Sequence, residues 1–358
     1  MKKGSVEMHN IPHSRPTVGE EEVQAVAAVL RSGRIAQGEE VRRFEAELAR
    51  QVDVTDAVAV SSGTAGLHLA LVSLDVGAGD EVVIPSFVCA ALLNAVRFVG
   101  AEPVPADIDP ETFNIDARDV ERRLTPRTKA IIVPHLFGLP ADIRRIAALG
   151  VPVVEDCAQS LGSRLAGAPT GSFGRLSVFS FYATKVICTG EGGMIASRDA
   201  GLLERIRDLR DYDEKPDDRT RYNYKMTDLQ AAMGIVQLRK LPDFITRRLA
   251  IASRYDDVMN ECGIPTPASL LDREGIPYRY VIRTDRLESI LAAGRDAGIS
   301  CRRPVFRPLH RYLGLNGYPH TDSAFASALS IPIYPSLGDA DIEAILDSLQ
   351  SLLSKKQR

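Results

Sequence analysis

Residues 151–200 read VPVVEDCAQSLGSRLAGAPTGSFGRLSVFSFYATKVICTGEGGMIASRDA, and this stretch decides the fold. It holds three short runs rich in β-branched and apolar residues, PVVE (152–155), SVFSF (177–181) and GMIA (193–196). Runs this short, bounded by Gly, Pro, Ser or Asp, read as strands. Upstream, AVAV (57–60), EVVI (81–84) and AIIVP (130–134) repeat the theme. Residues at about 64–74, 88–98, 141–149 and 201–211 carry apolar side chains at three- and four-residue spacing, the helical pattern. The alternation predicts an α/β fold with a mostly parallel sheet buried under helices on both faces.

Outward from that core, residues 19–31 and 40–51 form two amphipathic helical patterns joined by Ser32-Gly33-Arg34, an N-terminal arm with no chemistry of its own. Past residue 240 the pattern changes to a long helix (243–262), a strand (278–282) and a helix (286–298). A Pro-rich segment (304–319) and helices near 322–329 and 340–353 complete the chain. This predicts a smaller α+β domain at 241–358 after a large domain at 1–240, in line with roughly 150 residues per domain. Residues 211–221 mix acidic and basic side chains and read as an exposed loop.

With 44 Lys and Arg against 47 Asp and Glu the net charge is −3, which offers no field for a nucleic-acid backbone. The short basic ends (Lys2, Lys3, Lys355, Lys356, Arg358) read as solvated termini. The five cysteines, at 89, 157, 188, 262 and 301, are scattered, with no CxxC pair, and predict reduced thiols in a cytoplasm, with neither a disulfide framework nor a bound metal. Gly4, Ser5, Glu7, His9 and Asn10 interrupt any leader-like apolar run, and no apolar stretch of about 18 residues occurs, so no membrane partner is expected.

In open α/β sheets ligands collect beyond the carboxyl ends of the strands, so the residues after each strand are the candidates. After AVAV comes Ser61-Ser62-Gly63-Thr64, opening a helix; this turn is either a phosphate cup or a plain helix cap. After PVVE stands Asp156, with Cys157, Ala158 and Gln159 behind it. Asp156 is either a cap or the carboxylate that keeps a ring nitrogen protonated, as pyridoxal phosphate chemistry requires. After SVFSF comes Tyr182-Ala183-Thr184-Lys185 and a glycine-rich turn. An amine taken out of water there is biased toward its neutral nucleophilic form, the need of a Schiff-base lysine, against the alternative of a surface lysine. The GEGG turn (190–193) lacks the order of a dinucleotide fingerprint. Phosphate cup, ring-nitrogen carboxylate and imine lysine together serve one cofactor, pyridoxal 5′-phosphate.

These residues, with SGRIAQGEEVRRFE (32–45), GDEVVIPSF (79–87), HLFGLPAD (135–142), YNYKMTDLQAAMG (222–234) and SIPIYPSL (330–337), resemble the DegT/DnrJ/StrS sugar aminotransferases. The resemblance spans nearly the whole chain and implies a fold type I PLP-transferase with a seven-stranded, mostly parallel sheet. It implies Lys185 as the catalytic Schiff-base lysine, Asp156 on the pyridinium nitrogen, Gln159 on the ring hydroxyl and Ala158 against a ring face. Gly63, Thr64 and Ser180 match phosphate contacts. Asn223 matches one made to the neighbouring subunit, which implies a homodimer with shared sites. Cys89 occupies the position where the family usually stacks an aromatic residue on the ring, so either Phe87 or another aromatic substitutes, or the thiol makes that contact. Phe87, Tyr182, Glu191 and His310 are the candidate substrate contacts. The GEGG turn is equally a structural turn, and His135, at a strand end, lines the site or packs. The implied reaction moves an amino group from L-glutamate to a nucleotide-linked 4-keto-6-deoxyhexose. A 3-keto sugar or keto-cyclitol acceptor, or a PLP-binding regulatory protein without turnover, are the alternatives.

Overall fold

A computed structural model describes residues 10–353. The basic ends, and Gly4, Ser5, Glu7 and His9 from the residues read against a leader, lie outside the described residues. Among the described residues nine strands precede residue 200. They are β1 (Asp56–Val60), β2 (Glu81–Pro85), β3 (Glu102–Ala106), β4 (Thr128–Pro134), β5 (Val153–Asp156), β6 (Arg164–Leu165), β7 (Ala168–Pro169), β8 (Leu176–Ser180) and β9 (Gly193–Ser197). Seven of them form one sheet in the order β1-β9-β8-β5-β4-β2-β3, in which only β9 runs antiparallel to its neighbours.

Alternation along the strands divides their side chains between two cores. Val58 and Val60 of β1 and Leu176 and Val178 of β8 join a cluster under the helices Gly63–Ser73 and Ala91–Phe98. Ala57, Ala59 and Phe179 face the opposite cluster, built with Val41, Phe44 and Leu48 of the helix Glu39–Gln51. That three- and four-residue spacing puts one apolar stripe of the arm on the sheet. The rings of Phe44 and Phe181 meet at 5.0 Å.

The helix Leu241–Glu261 leads to β10 (Arg273–Glu274), which pairs with β6, and to β11 (Tyr280–Arg283), which pairs antiparallel with β12 (Ala328–Ile331). Tyr280 and Ile282 pack with Ile251, Tyr255, Met259, Ile342 and Ile345 in a core of their own. Ile11 belongs to this core and exchanges backbone hydrogen bonds of 2.9 Å with Gly298 and Ser300, so residue 11 is seated on the C-terminal part. Residues 212–214 and 216–220 are exposed, as the mixed charges predict. Among the described residues no helix is long and apolar enough to cross a membrane.

Candidate active site

The parallel strands deliver their successors to one edge of the sheet. Gly193 at the start of β9 pairs with both Val60 and Ser180, which sets the turns after β1 and β8 side by side. A Cβ on Gly63 would stand 2.8 Å from the Ser180 Cβ, and one on Gly193 would stand 2.6 Å from the Gly63 nitrogen. A side chain at Gly193 would meet the Ser62–Gly63 backbone, and one at Gly63 the Ser180 side chain, so both positions are crowded for anything larger than glycine. Ser62 caps the helix Gly63–Ser73, its hydroxyl accepting from the Ala65 N–H at 3.1 Å. The cap reading of Ser62 thus holds, while the first-turn N–H groups of Gly63 and Thr64 have no acceptor within the helix and lie at its positive end.

Asp156 ends β5, paired in register with Pro134 of β4 and Val178 of β8, and is 7% exposed. Burial pushes its carboxyl above the usual range, opposed by the Ala158 N–H, which it accepts at 3.0 Å, and by the Lys185 charge. Gln159 accepts the Phe137 N–H at 2.9 Å through its side-chain oxygen, so its NH₂ remains available as a donor. Lys185 is half-buried, its N–H donating to the Tyr182 carbonyl at 2.8 Å. The Lys185 Nζ stands 5.4 Å from the ring centre of Tyr278.

Tyr278 is a neighbour of the lysine that no local pattern singled out, since it arrives from the segment before β11. It is 5% exposed, and Arg248, wholly buried, holds its carbonyl and those of Pro277 and Ile333 at 3.1–3.2 Å. Burial alone would raise the Tyr278 hydroxyl, but the Lys185 and Arg279 charges and the Thr184 hydrogen bond bring it down to about 8.

Other expected contacts divide by exposure. Cys89, Tyr182, Glu191 and Asn223 are exposed, and Ala158, Thr64 and Ser180 half-buried. The Glu191 carbonyl is fixed by Thr189 Oγ1 at 2.6 Å and Gln230 Nε2 at 2.8 Å, so the glycine-rich turn has a structural duty of its own. Asn223 lies between Tyr222 and Tyr224, whose rings stack at 5.1 Å and pack on the buried His68. The Tyr224 carbonyl accepts the Ser61 N–H at 2.7 Å, tying this segment to the turn after β1.

Two expected substrate contacts lie instead in packed interior. Phe87 is 0% exposed and stacks on Phe113 at 5.9 Å, so its ring serves the core. His310 is buried, with Nδ1 2.7 Å from the Ser86 hydroxyl, Nε2 3.4 Å from Asp322 and its ring stacked on Tyr318. His135 packs rather than lines the site, bonded to Glu155 in full burial. With Cys157 these two form the one cluster of metal-ligand type among the described residues. Glu155 already accepts from His135 Nε2 and the N–H groups of Gly171, Phe173 and Gly174, which makes the cluster a hydrogen-bonded anchor.

The sequence model of the DegT/DnrJ/EryC1/StrS aminotransferase family matches residues 16–350. The spore coat polysaccharide biosynthesis protein SpsC of Bacillus subtilis is 35% identical, with 96% of this chain and 97% of that protein covered. The aminotransferase TlmJ of Streptoalloteichus hindustanus superposes with a TM-score of 0.92 at 35% identity, covering 96% and 99% of the two chains. The sugar aminotransferase Spr1654 of Streptococcus pneumoniae, known in PLP and PMP forms, gives 0.92 at 28% identity, covering 97% of this chain and 98–99% of the other. The seven-stranded architecture is that of the fold type I PLP aminotransferases.

Proposed function

Because this chain belongs to the DegT/DnrJ/EryC1/StrS aminotransferase family, and so is a sugar aminotransferase, we propose that it uses pyridoxal phosphate to move an amino group from L-glutamate to a nucleotide-linked 4-keto-6-deoxyhexose. The observation that carries this reading is the convergence of Asp156, Lys185 and the Gly63–Ser180 contact at adjoining strand ends. The family is PLP-dependent, and the residues suit the cofactor chemically. A close-packed glycine turn with free N–H groups suits its phosphate, and a buried carboxylate its ring nitrogen. A half-buried amine suits its aldehyde carbon.

On this reading Gly63, Thr64 and Ser180 hold the phosphate, together with Asn223 from the neighbouring subunit of a homodimer. Asp156, charged once it faces a cationic ring nitrogen, keeps that nitrogen protonated. Gln159 donates its NH₂ to the ring hydroxyl, and Ala158 and Cys89 flank the ring faces. When bound, the cofactor supplies an electrophilic carbon and an electron sink. Lys185 would hold the cofactor through its side-chain amine, which an amino donor would free. The freed amine would take the proton from the donor's α-carbon and, in the second half of the transfer, deliver one to the former keto carbon of the acceptor. Tyr278 packs against that amine and limits its swing. On this reading residues 1–240 are the large cofactor-binding domain and 241–358 the smaller α+β domain.

The test is turnover: purified protein with pyridoxal phosphate, L-glutamate and a panel of nucleotide-linked keto sugars, with the product read by mass spectrometry. A glutamate-dependent amino sugar at C4 supports the reading; amination at C3 alone moves it to the 3-keto class.

A further inference from the structure

Arg248, on the helix Leu241–Glu261, is 2% exposed, and its guanidinium reaches only carbonyls, those of Pro277, Tyr278 and Ile333. Its Nε has no partner among the described residues. Burial pushes Arg248 down to about 10, which leaves it charged at neutral pH, and among the described residues the only ionisable side chain that offsets that burial is Tyr278. A buried cation with no carboxylate beside it is costly unless some other anion lies within reach. Tyr278, itself 5% exposed, is the group in place to be that anion. The Lys185 Nζ stands 5.4 Å from its ring centre and the Arg279 guanidinium 5.5 Å, while the Thr184 hydroxyl donates to its oxygen. Three cations thus converge on one phenol: Lys185 from the turn after β8, Arg248 from its helix, and Arg279 from the residue next along the chain.

We propose that Tyr278 works as a phenolate, the acid–base partner of Lys185, and takes the proton that an amino donor must lose before it can displace the lysine. The inference rests on the transfer reading and adds a second base to it. An amino acid arrives as an ammonium, and its nitrogen forms a new bond only after one N–H bond has broken. If Lys185 took that proton, its freed amine would be an ammonium, unable to accept the next proton from the donor's α-carbon. With Tyr278 present the two protons go to two bases. The N–H electron pair stays on the donor nitrogen, and the proton passes over the Thr184 hydroxyl, which opens on the cleft beside Lys185, to the phenolate oxygen. Lys185 is then released neutral. The proton returns to the amine of the product as it leaves, so one ammonium enters, one departs, and Tyr278 is again a phenolate. Burial opposes the charged phenol, while the three cations and the Thr184 bond favour it; the balance, at about 8, allows uptake and return of a proton near neutral pH.

The test sets two measurements on the cofactor-loaded enzyme side by side across pH. One is the rate at which L-glutamate, without acceptor, changes the visible absorbance; the other is an ultraviolet titration of the phenol. In wild type the rate rises with pH along the phenolate curve. Tyr278→Phe abolishes the phenolate signal and lowers the rate near pH 7 about a hundredfold, a deficit that closes as rising pH removes the donor's proton without help. Arg248→Met keeps the phenol but removes its buried counter-charge, so the titration and the rate profile move upward together by about one pH unit. Tyr278→Phe keeps the ring and decides the question alone if Arg248→Met does not fold. A rate profile unchanged in Tyr278→Phe, or one that stays in place while the phenol titration moves in Arg248→Met, overturns the proposal and leaves the transfer reading standing. Wild-type absorbance that no amino donor changes at any pH overturns the transfer reading and this inference with it.

Discussion

His135 Nε2 stands 2.8 Å from Glu155 Oε1, with neither side chain exposed to solvent. The Ala141 N–H donates to His135 Nδ1 at 2.9 Å, which puts the ring proton on Nε2 and makes His135 the donor to the carboxylate. Burial alone would raise the Glu155 carboxyl, but the His135 bond and the backbone N–H groups of Gly171 and Gly174 hold it below the usual range. The pair fastens the end of β4 to β5 one residue before Asp156. It also fixes the turn from which the Phe137 N–H reaches Gln159. On the proposed reading of the site, the pair positions Asp156 and Gln159 without itself touching the ligand.

Removing one member of a buried hydrogen-bonded pair strands the other, at a cost of about 3–5 kcal/mol. His135→Ala is expected to lose about 3 kcal/mol in urea denaturation and to release cofactor more readily. A variant within about 0.5 kcal/mol of wild type would show the pair to be dispensable.

The turn after β1 separates a cap from a cup. Gly63→Ala drives a methyl to 2.8 Å from the Ser180 Cβ, an overpacking worth about 1–3 kcal/mol. Cofactor affinity is expected to fall about tenfold in a titration followed by absorbance. Ser62→Ala removes only the bond to the Ala65 N–H and should cost about 1 kcal/mol of stability with cofactor affinity kept. Equal losses of affinity in the two variants would contradict this division.

Tyr278, brought down to about 8 mainly by Lys185 and Arg279, gives the site a spectroscopic handle. In cofactor-free protein one tyrosine should ionise near that pH, well below the ordinary value of about 10. The step should vanish in Tyr278→Phe and move upward in Lys185→Ala. An unchanged step in the lysine variant would separate the two side chains.

Burial and the Arg279 and Arg302 charges hold His13 at about 3 in the fold against 6.5 for the free side chain, so the unfolded chain takes up a proton that the folded chain refuses. Its contribution is fully present above pH 6.5 and is lost as pH falls from there toward 3, at no more than about 1.4 kcal/mol per pH unit. Unfolding followed across that window should be flatter in His13→Gln, which keeps a polar group beside Ser330 but cannot titrate. Parallel curves would assign the acid sensitivity elsewhere.

The strands that carry the site were legible because each is a short apolar run followed directly by polar residues. The sheet contains one more, β3, whose Pro103 and Pro105 hide it from any strand pattern; it lies at the edge of the sheet, where a missing N–H is tolerated. The helix Asp228–Arg239 was not legible as a helix because it buries Ala231, Ala232, Ile235, Val236 and Leu238 on several sides, which erases the one-faced period. The helical pattern at 322–329 overlaps the first two residues of β12, because the helix stops at Ser327. Asp156 could be singled out because it is the last residue of its strand, β5, and Lys185 because it stands in the turn that follows β8. Tyr278, Arg248 and the burial of Phe87 and His310 depend on contacts between residues far apart in sequence, which no local spacing records.

The role of Lys185 is tested by the visible absorbance of wild type and Lys185→Ala after addition of pyridoxal phosphate and then L-glutamate. Wild type should acquire the band of a lysine-bound cofactor, glutamate should bleach it, and the variant should never show it. Wild type that takes up no cofactor, a band that no amino donor changes, or the same band in Lys185→Ala would contradict that role.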